Sequence, residues 1–484
     1  MRLIDMAPEA QISVKIPPNS DRIEITGLST DSRKVRPGYL FAALPGVKAD
    51  GRDFIENAIN NGAAAVLAPE GTETPKKIPL ATSPDARAAL AHMASEFYSF
   101  QPAIIAAVTG TNGKTSVTHF TQQIWNRLGH NTSSIGTLGL QTANPTQTPN
   151  LTTPDPIALH STLASLNKSG ITHVVLEASS HGLDQKRIDG VKLSAAGFTN
   201  FSHDHLDYHG NVKKYLSAKA RLFSDILPTT ATAILNADNR EYPIFSKAFG
   251  GQKLTYGKRG KDLTLKAARP TELGVQVQLG VMGKNYDLHI PLVGMFQSYN
   301  VLCAAGLAIA CGGDVDNIIE TLDKLKCVPG RMQLAGQISG GKVYVDYAHT
   351  PDAVENVLKA ARKYAKGRLL IVIGCGGERD RAKRSLIGKI IAKNADVTII
   401  TDDNPRSEDP KTIRAEIMVT AKDAYEIGNR ASAIVRGISL LQHDDVLIIA
   451  GKGHEKTQII GETLHPFDDL EIARQAIIDS GGGV

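Results

Sequence analysis

Cysteine is scarce in this chain of 484 residues: four stand far apart, at Cys303, Cys311, Cys327 and Cys375, with no C-x-x-C pair among them. That usage argues against a disulfide framework and against a cysteine-held structural zinc, and it suits a reducing compartment. An excess of one charge is also missing. Lys and Arg total 54 against 49 Asp and Glu, and the basic residues are dispersed apart from a cluster at 379–384, so nucleic acid is not the expected partner. No apolar run approaches the length of a membrane span, and Met1-Arg2-Leu3-Ile4-Asp5 carries no apolar leader. The expectation is a cytoplasmic protein without membrane insertion. What remains, 42% hydrophobic and 21% charged residues, is ordinary globular composition over a length that implies about three domains.

One stretch organises the rest: Val108-Thr109-Gly110-Thr111-Asn112-Gly113-Lys114-Thr115. The apolar run 103–108 before it reads as a buried strand. Residues 116–128 after it contain no Gly or Pro and stop at Gly129, as a helix would. Strand, glycine-rich turn and helix make a phosphate cradle, in which backbone N–H groups and the helix N-terminus face the anion. Lys114 would reach the outer phosphates and Thr115 would give its hydroxyl to Mg²⁺. The usual first glycine of the pattern is absent, with Val108 in its place.

Residues 1–100 read as a small α/β unit with a strand at 39–44 and helices at 54–61 and 86–100. Two polar, turn-rich segments, 30–33 and 46–51, are either ligand contacts or plain surface. Beyond the cradle, the run 172–177 ends in Glu177, and the run 195–200 leads into Ser202-His203-Asp204-His205-Leu206-Asp207-Tyr208-His209. Ligands of open parallel sheets sit beyond the carboxyl ends of strands, so Thr115, Glu177 and His205 should share one edge. Oxygen ligands beside phosphates suit Mg²⁺. A different class stays open here, because the histidines 203, 205 and 209 loosely resemble a metallohydrolase ligand box. Residues 255–291 alternate like antiparallel hairpins, and Val328-Pro329-Gly330-Arg331 breaks the chain. A second doubly wound domain follows. Its strand at 342–346 ends in polar groups, and those at 369–373, 397–401 and 446–450 are each followed by glycine or charge, a mixed edge that fits a zwitterion such as an amino acid.

Over nearly its whole length the sequence resembles the Mur ligases, ATP-dependent amide-forming enzymes of peptidoglycan precursor synthesis related in fold to folylpolyglutamate synthetase. The loop 109–115 is similar to their phosphate loop, which accounts for the missing glycine. Glu177, Asn200, Asp204-His205, Asn300, Arg331 and Asp346-Tyr347-Ala348-His349 resemble the shared constellation of the family. Ser179-Ser180-His181-Gly182-Leu183, Asp207-Tyr208-His209-Gly210 and Asp403-Asn404-Pro405-Arg406 resemble the branch that adds the third residue of the stem peptide.

The resemblance implies an α/β protein of three domains: 1–100 for the UDP-sugar, 101–331 for ATP on a P-loop parallel sheet with a small antiparallel addition, and 332–484, Rossmann-like, for the amino acid. It implies ligation of meso-diaminopimelate to UDP-N-acetylmuramoyl-L-alanyl-D-glutamate through an acyl phosphate, by a monomer acting on small molecules; the lysine-adding version of the same ligase is the near alternative. ATP contacts fall on Gly110, Thr111, Asn112, Gly113, Lys114, Thr115, Asn300, Arg331 and Asp346. The nucleotide-sugar dipeptide falls on Thr30, Ser32, Val47, Lys48, Ala49, Thr152, Thr153, Ser179, Gln185 and Arg187. Diaminopimelate falls on Arg379, Asp403, Asn404, Pro405, Arg406, Gly451 and Glu455. Two Mg²⁺ ions are implied, one on Thr115 and Glu177, the second on His205 and a CO₂-derived carbamate at Lys219. Lys114, His205 and Lys219 are the implied catalytic residues, with closure of the third domain completing the site. Spacing alone does not separate Lys219 from Lys213 or Lys214. Two positions depart from the family: Leu151 stands where relatives often carry Asn, and Gln297 replaces another Asn and is left out of the site.

Overall fold

Short apolar runs ended by glycine or charge set three separate sheets. A computed structural model describes residues 1–7, 13–18, 20, 22–46, 49–74, 78–142, 151–202, 204–272 and 274–484. In the first unit β1 (Gly27–Ser29), β2 (Tyr39–Ala42), β3 (Ala65–Pro69) and β4 (Leu80–Ser83) pair in that order, all parallel. The helix Ala86–Tyr98 lays Ala89, Leu90, Met93 and Ala94 against Leu40 and Leu67. The helix expected at 54–61 begins one turn earlier as a 3₁₀ turn, Gly51–Phe54, because the Asp50 side chain accepts from Arg52 N–H.

The central sheet contains β5 (Ile104–Thr109), β6 (Thr132–Gly136), β7 (Gly139–Gln141), β8 (His173–Glu177), β9 (Ala195–Phe198), β10 (Thr232–Asn236), β11 (Gln252–Gly257), β12 (Leu263–Thr271), β13 (Gly274–Val281) and β14 (Lys284–Ile290). Their order is β14-β13-β12-β11-β10-β9-β5-β8-β6-β7. Strand β5 therefore lies between β8 and β9, and the residues after all three meet at one edge. The helix Lys114–Arg127 starts at Lys114, two residues before the expected point, because Gly113 supplies a left-handed N-cap. It buries Val117, Phe120, Ile124 and Trp125 in one core with Val301, Cys303, Ala304 and Ala308 of the helix Phe296–Ala310. The hairpin expectation for 255–291 holds only in part. Strand β11 runs parallel to β10, burying Leu254 and Tyr256 in the same core, and β12 joins it parallel before reversing into β13 and β14. Alternation that buries one face is the same for a parallel edge as for a hairpin.

The third unit orders β15 (Gln333–Ile338), β16 (Gly341–Asp346), β20 (Val446–Ala450), β17 (Leu369–Ile373), β18 (Val397–Ile400) and β19 (Tyr425–Glu426) side by side. All pairings but β15–β16 are parallel. Strands β17 and β20, Leu-Leu-Ile-Val-Ile and Val-Leu-Ile-Ile-Ala, are buried throughout, as helices on both faces require. A hairpin, β21 (Thr457–Ile460) with β22 (Thr463–Pro466), follows β20. Among the described residues no helix is long and apolar enough to cross a membrane.

Beneath β20 lies a fully buried ion pair. Arg430 donates from Nε and Nη2 to both carboxylate oxygens of Asp469, each at 2.7 Å, and from Nη2 to Ala450 O at 2.9 Å. An unpaired cation cannot be carried there. Asp469→Ala should cost about 3–5 kcal/mol in the unfolding transition of this unit, and Asp469→Asn less, as followed by urea titration. A loss under about 1 kcal/mol in the alanine variant would contradict the assignment.

Candidate functional site

The phosphate loop is shaped by backbone that side chains cannot follow. Gly110 has φ +150° and Gly113 has φ +87°; a Cβ on Gly113 would stand 2.5 Å from Asn300 Oδ1. Asn200, beyond β9, clamps the loop by accepting from Asn112 N–H at 2.9 Å and donating to Asn112 O at 3.1 Å. Lys114 Nζ donates to Gly110 O and Thr111 O, both at 2.9 Å, and Lys219 Nζ reaches the same Gly110 O at 2.8 Å. Thr111 Oγ1 lies 3.0 Å from Tyr215 Oη. Burial pushes Lys114 below the usual lysine range; Glu177 and Asp204 oppose this and Arg331 adds to it.

Lys219 is 1% exposed, whereas Lys213 and Lys214 lie open on the same helix, Val212–Arg221. Burial, then the charge of Lys114, pushes its ammonium well below the usual value, and its Nζ sits 4.5 Å above the Tyr215 ring. His205 adopts a left-handed backbone, with Nε2 3.4 Å from Asp204 Oδ2, and burial pushes its imidazole well down. Its ring centroid is 4.8 Å from that of His181, which burial and then His209 bring down to about 4. His205 and His209 thus belong to a packed aromatic group around His181 and Tyr215. Among the described residues no three His, Cys, Asp or Glu side chains converge as a metal cage. Of the histidines in the metallohydrolase reading, His209 is buried in ring contacts and His203 lies outside the described residues.

Glu177, 1% exposed at the end of β8, accepts from both Thr137 N–H (2.8 Å) and Thr137 Oγ1 (3.1 Å). Thr137 was not singled out in the sequence, because a threonine in a turn has no local signature of a carboxylate partner. Across the junction, Arg331 Nη2 donates to Thr115 Oγ1 at 3.3 Å and its guanidinium lies 4.4 Å from the centre of the Tyr347 ring. Asp346 accepts from Met332 N–H and Ala348 N–H, both at 2.7 Å, while burial raises its carboxyl above the usual range. Asn112 Nδ2 donates to Asp352 at 2.9 Å. Gln297, left out of the expected site, is 1% exposed and orients Asn300 by accepting from its Nδ2 at 2.9 Å.

Between the first and central units lies a cavity of about 230 Å³ that includes Thr30, Gly46, Gln185 and Arg187 in its walls, with Arg87 as an unforeseen cation. Arg187 donates to Thr153 O and to Gln185 Oε1, both at 2.7 Å; Ser179 Oγ caps its helix at Gly182 N–H and lies 3.0 Å from Thr153 Oγ1. Thr152 Oγ1 is 3.2 Å from Thr137 Oγ1. Ser32 is buried with its carbonyl taken by Asn61, and Ala49 O accepts from Gly46 N–H. Val47 and Lys48 lie outside the described residues.

At the carboxyl edge of the third sheet, Arg406 holds φ +53° and donates from Nη1 to Gly377 O at 2.8 Å. Burial, then neighbouring Arg379, pushes its guanidinium below the ordinary value, so an anion placed between the two is favoured. Gly377 and Pro405 touch so closely that a Cβ on the glycine would overlap Pro405 O. Gly451, φ +114°, keeps clear of Asp403, whose Oδ2 would lie 2.7 Å from a Cβ there. Asn404 donates to Glu455 Oε2 at 2.9 Å. Lys452, which sequence spacing does not mark as inward or outward, is 0% exposed behind both.

A phosphate loop that meets, across a short junction, a second doubly wound domain with a sheet edge of mixed charge is the arrangement of an ATP-dependent ligase of the three-unit α/β kind. Known families match the sequence accordingly: Mur ligase middle domain over 108–308, Mur ligase glutamate ligase domain over 330–453, and the Mur ligase family catalytic domain over 24–98. The chain belongs to the Mur ligase family. It is 50% identical over 463 residues to the UDP-N-acetylmuramoyl-L-alanyl-D-glutamate–2,6-diaminopimelate ligase of Caulobacter vibrioides, covering 94% of this chain and 95% of that protein. The protein of that name from Bradyrhizobium diazoefficiens is 48% identical over 473 residues, 96% of each chain. A solved structure of that name is 34% identical, with a TM-score of 0.71, and covers 96% of this chain and 97% of its own.

Gly113→Ala should raise the dissociation constant for ADP about tenfold or more, because the left-handed backbone and the contact with Asn300 both oppose a methyl group. Titration calorimetry against unchanged circular dichroism checks this. Unaltered affinity would remove the loop from the nucleotide site.

Proposed function

We propose that this chain joins meso-diaminopimelate to the D-glutamate of UDP-N-acetylmuramoyl-L-alanyl-D-glutamate, with ATP converted to ADP and phosphate; its relatives are named as ligases of UDP-N-acetylmuramoyl-L-alanyl-D-glutamate and 2,6-diaminopimelate. The observation that supports the amino-acid choice is Arg406, seated on Gly377 O with Arg379 beside the same glycine turn, on the sheet edge that also carries Glu455. Lysine and diaminopimelate differ in one distal carboxylate, and two guanidiniums are what that group needs. We further propose units at 1–100, 101–331 and 332–484, acting as a monomer in the cytoplasm.

A carboxylate is a poor electrophile, so the substrate carboxylate first attacks the terminal phosphorus of ATP, giving an acyl phosphate and ADP. The amine then attacks the acyl carbon; phosphate leaves and the amine gives up a proton. Two anions must approach in the first step, and Lys114 and Arg331 bring positive charge to that place. Mg²⁺ would supply the remaining charge cancellation, held by Thr115 and Glu177 at one position and by His205 and a carbamylated Lys219 at the other. The residues suit it: Mg²⁺ binds through one or two carboxylates plus phosphates rather than a full protein cage. Lys219 suits the carbamate, since burial and Lys114 favour its neutral amine, the form that adds to CO₂. The nucleotide-sugar dipeptide is assigned to Thr30, Gln185 and Arg187, which share one cavity, and to Thr152, Thr153 and Ser179, which are joined to their neighbours by hydroxyl contacts, together with Ser32, Val47, Lys48 and Ala49.

The test is phosphate release that requires the nucleotide-sugar dipeptide, ATP and diaminopimelate together, with lysine a very poor replacement. Arg406→Ala should lower kcat/KM for diaminopimelate tens to thousands of fold, the cost of about 2–5 kcal/mol for a charge left unpaired, without creating a good lysine enzyme. Equal kcat/KM for the two amino acids in the wild type would overturn the choice.

Lys219→Ala should lose most ligation, keep its fold, and regain part of it with a small carboxylic acid in the buffer, whereas Lys213→Ala should match wild type. Equal loss in both without rescue would remove Lys219 from the metal position.

A further inference from the structure

The loop after β20, Gly451-Lys452-Gly453-His454-Glu455, turns its lysine inward. Lys452 is 0% exposed, and Nζ donates to Asn404 Oδ1 at 2.9 Å and to Glu455 Oε2 at 3.0 Å. Asn404 Oδ1 also accepts from Ile459 N–H at 3.0 Å, and Asn404 Nδ2 donates to Glu455 Oε2 at 2.9 Å. The three bonds among Lys452, Asn404 and Glu455 close a triangle, and the fourth, from Ile459, anchors it to the backbone. The carboxamide has only one orientation open to it, because its oxygen faces an ammonium and an N–H, so its nitrogen must face the glutamate. Glu455 is held by one oxygen from behind, which leaves Oε1 to serve the pocket.

Charge gives the triangle a purpose. The carboxylate of Glu455 is partly exposed and its field is felt at Arg406. A glutamate free to turn would be drawn toward the guanidinium whose charge it already meets, Arg406, the group assigned above to the ligand's carboxylate. A buried ammonium that takes up Oε2 prevents that collapse and keeps acid and base apart before the ligand arrives. Such preorganisation lowers the cost of binding a zwitterion, whose ammonium and carboxylate need separated partners.

We infer that Lys452 is a positioning residue for the amino-acid pocket, acting through Glu455 and Asn404 to hold the carboxylate toward the incoming ammonium and away from Arg406. The inference rests on the reading of this pocket as the amino-acid site. It concerns how Glu455 is held rather than which amino acid is taken.

A double-mutant cycle on the full-length enzyme tests it, with Lys452→Met and Glu455→Gln read by steady-state phosphate release. Lys452→Met should raise KM for diaminopimelate about thirtyfold or more, as loss of bonds to a charged group predicts, and change KM for ATP and for the nucleotide-sugar dipeptide less than threefold. In the Glu455→Gln background the same substitution should raise KM less than threefold, since no carboxylate remains to be restrained. A merely structural lysine would act equally in both backgrounds, and that result overturns the inference. So would a Lys452→Met enzyme with unchanged KM for the amino acid. A variant with general loss of ATP and dipeptide affinity and a lower melting temperature also counts against it. If the wild type releases no phosphate with diaminopimelate, the substrate assignment fails instead, and the cycle is read with the amino acid that does support release.

Discussion

Two lysines share one carbonyl oxygen. Lys114 and Lys219 come from different helices, and both donate to Gly110 O, the first half-buried and the second buried. Like charges so placed raise each other's energy, and a low-dielectric surrounding enlarges the effect. The arrangement is tolerable because the loop supplies carbonyl oxygens and because Asp204 and Glu177 stand near. It is useful because phosphate and carboxylate both arrive as anions. Asn200, Asn300 and Gln297 are best understood as the frame that keeps this carbonyl in place: the first grips Asn112 on both sides, and the second is turned toward Gly113 by the third.

The same constraint explains the junction with the third unit. Inter-domain contacts are usually small and free to slide, yet here they land on the phosphate loop itself. Arg331 touches Thr115, Asp352 holds Asn112, and the backbone of Gly330 lies against Gly453 and His454 so closely that a Cβ would stand 2.3 Å from His454 N. The His454 ring in turn faces the backbone of Thr137, the residue that donates twice to Glu177. The Gly451–Glu455 loop, the Gly330–Arg331 junction and Glu177, to which the proposed function gives amino-acid, phosphate and metal roles, are therefore one connected set of contacts.

Much of this was legible in the residues. Apolar runs ending in Glu177, in the 200–205 segment and in the phosphate loop placed three strands side by side, and β9-β5-β8 is that arrangement. What was not legible shares a physical reason: direction. Period and spacing cannot say that Lys452 points inward, that Lys219 is buried where Lys213 and Lys214 are open, or that Thr137 turns toward a carboxylate. Nor could alternation separate a parallel strand from a hairpin, and so the antiparallel expectation for 255–291 holds for β12 to β14 but not at its start, where the end of β11 runs parallel to β10. Burial is a property of packing between distant segments, and a single sequence reports it only as an average over a face.

Activation and selection make opposite demands, and the division into units meets both. Phosphoryl transfer needs a dry, strongly positive floor that differs little between substrates. Recognition of a zwitterion needs both signs kept apart by several ångströms, with each group already satisfied from behind. Placed in one cleft, Glu455 would be drawn to Lys114 as readily as to an ammonium. Here Glu455 rides on a separate sheet, tethered by Lys452, while Lys114 and Lys219 are spent on the loop carbonyls. On the proposed function, the junction then has a single electrostatic task, which is to let a selected amine meet an activated carboxyl without the two charge systems neutralising one another. Arg331, at that junction, touches the loop through a hydroxyl and packs on a tyrosine ring, contacts that leave its positive charge without a carboxylate partner among the described residues and so open to an arriving anion, as the proposed phosphate role requires.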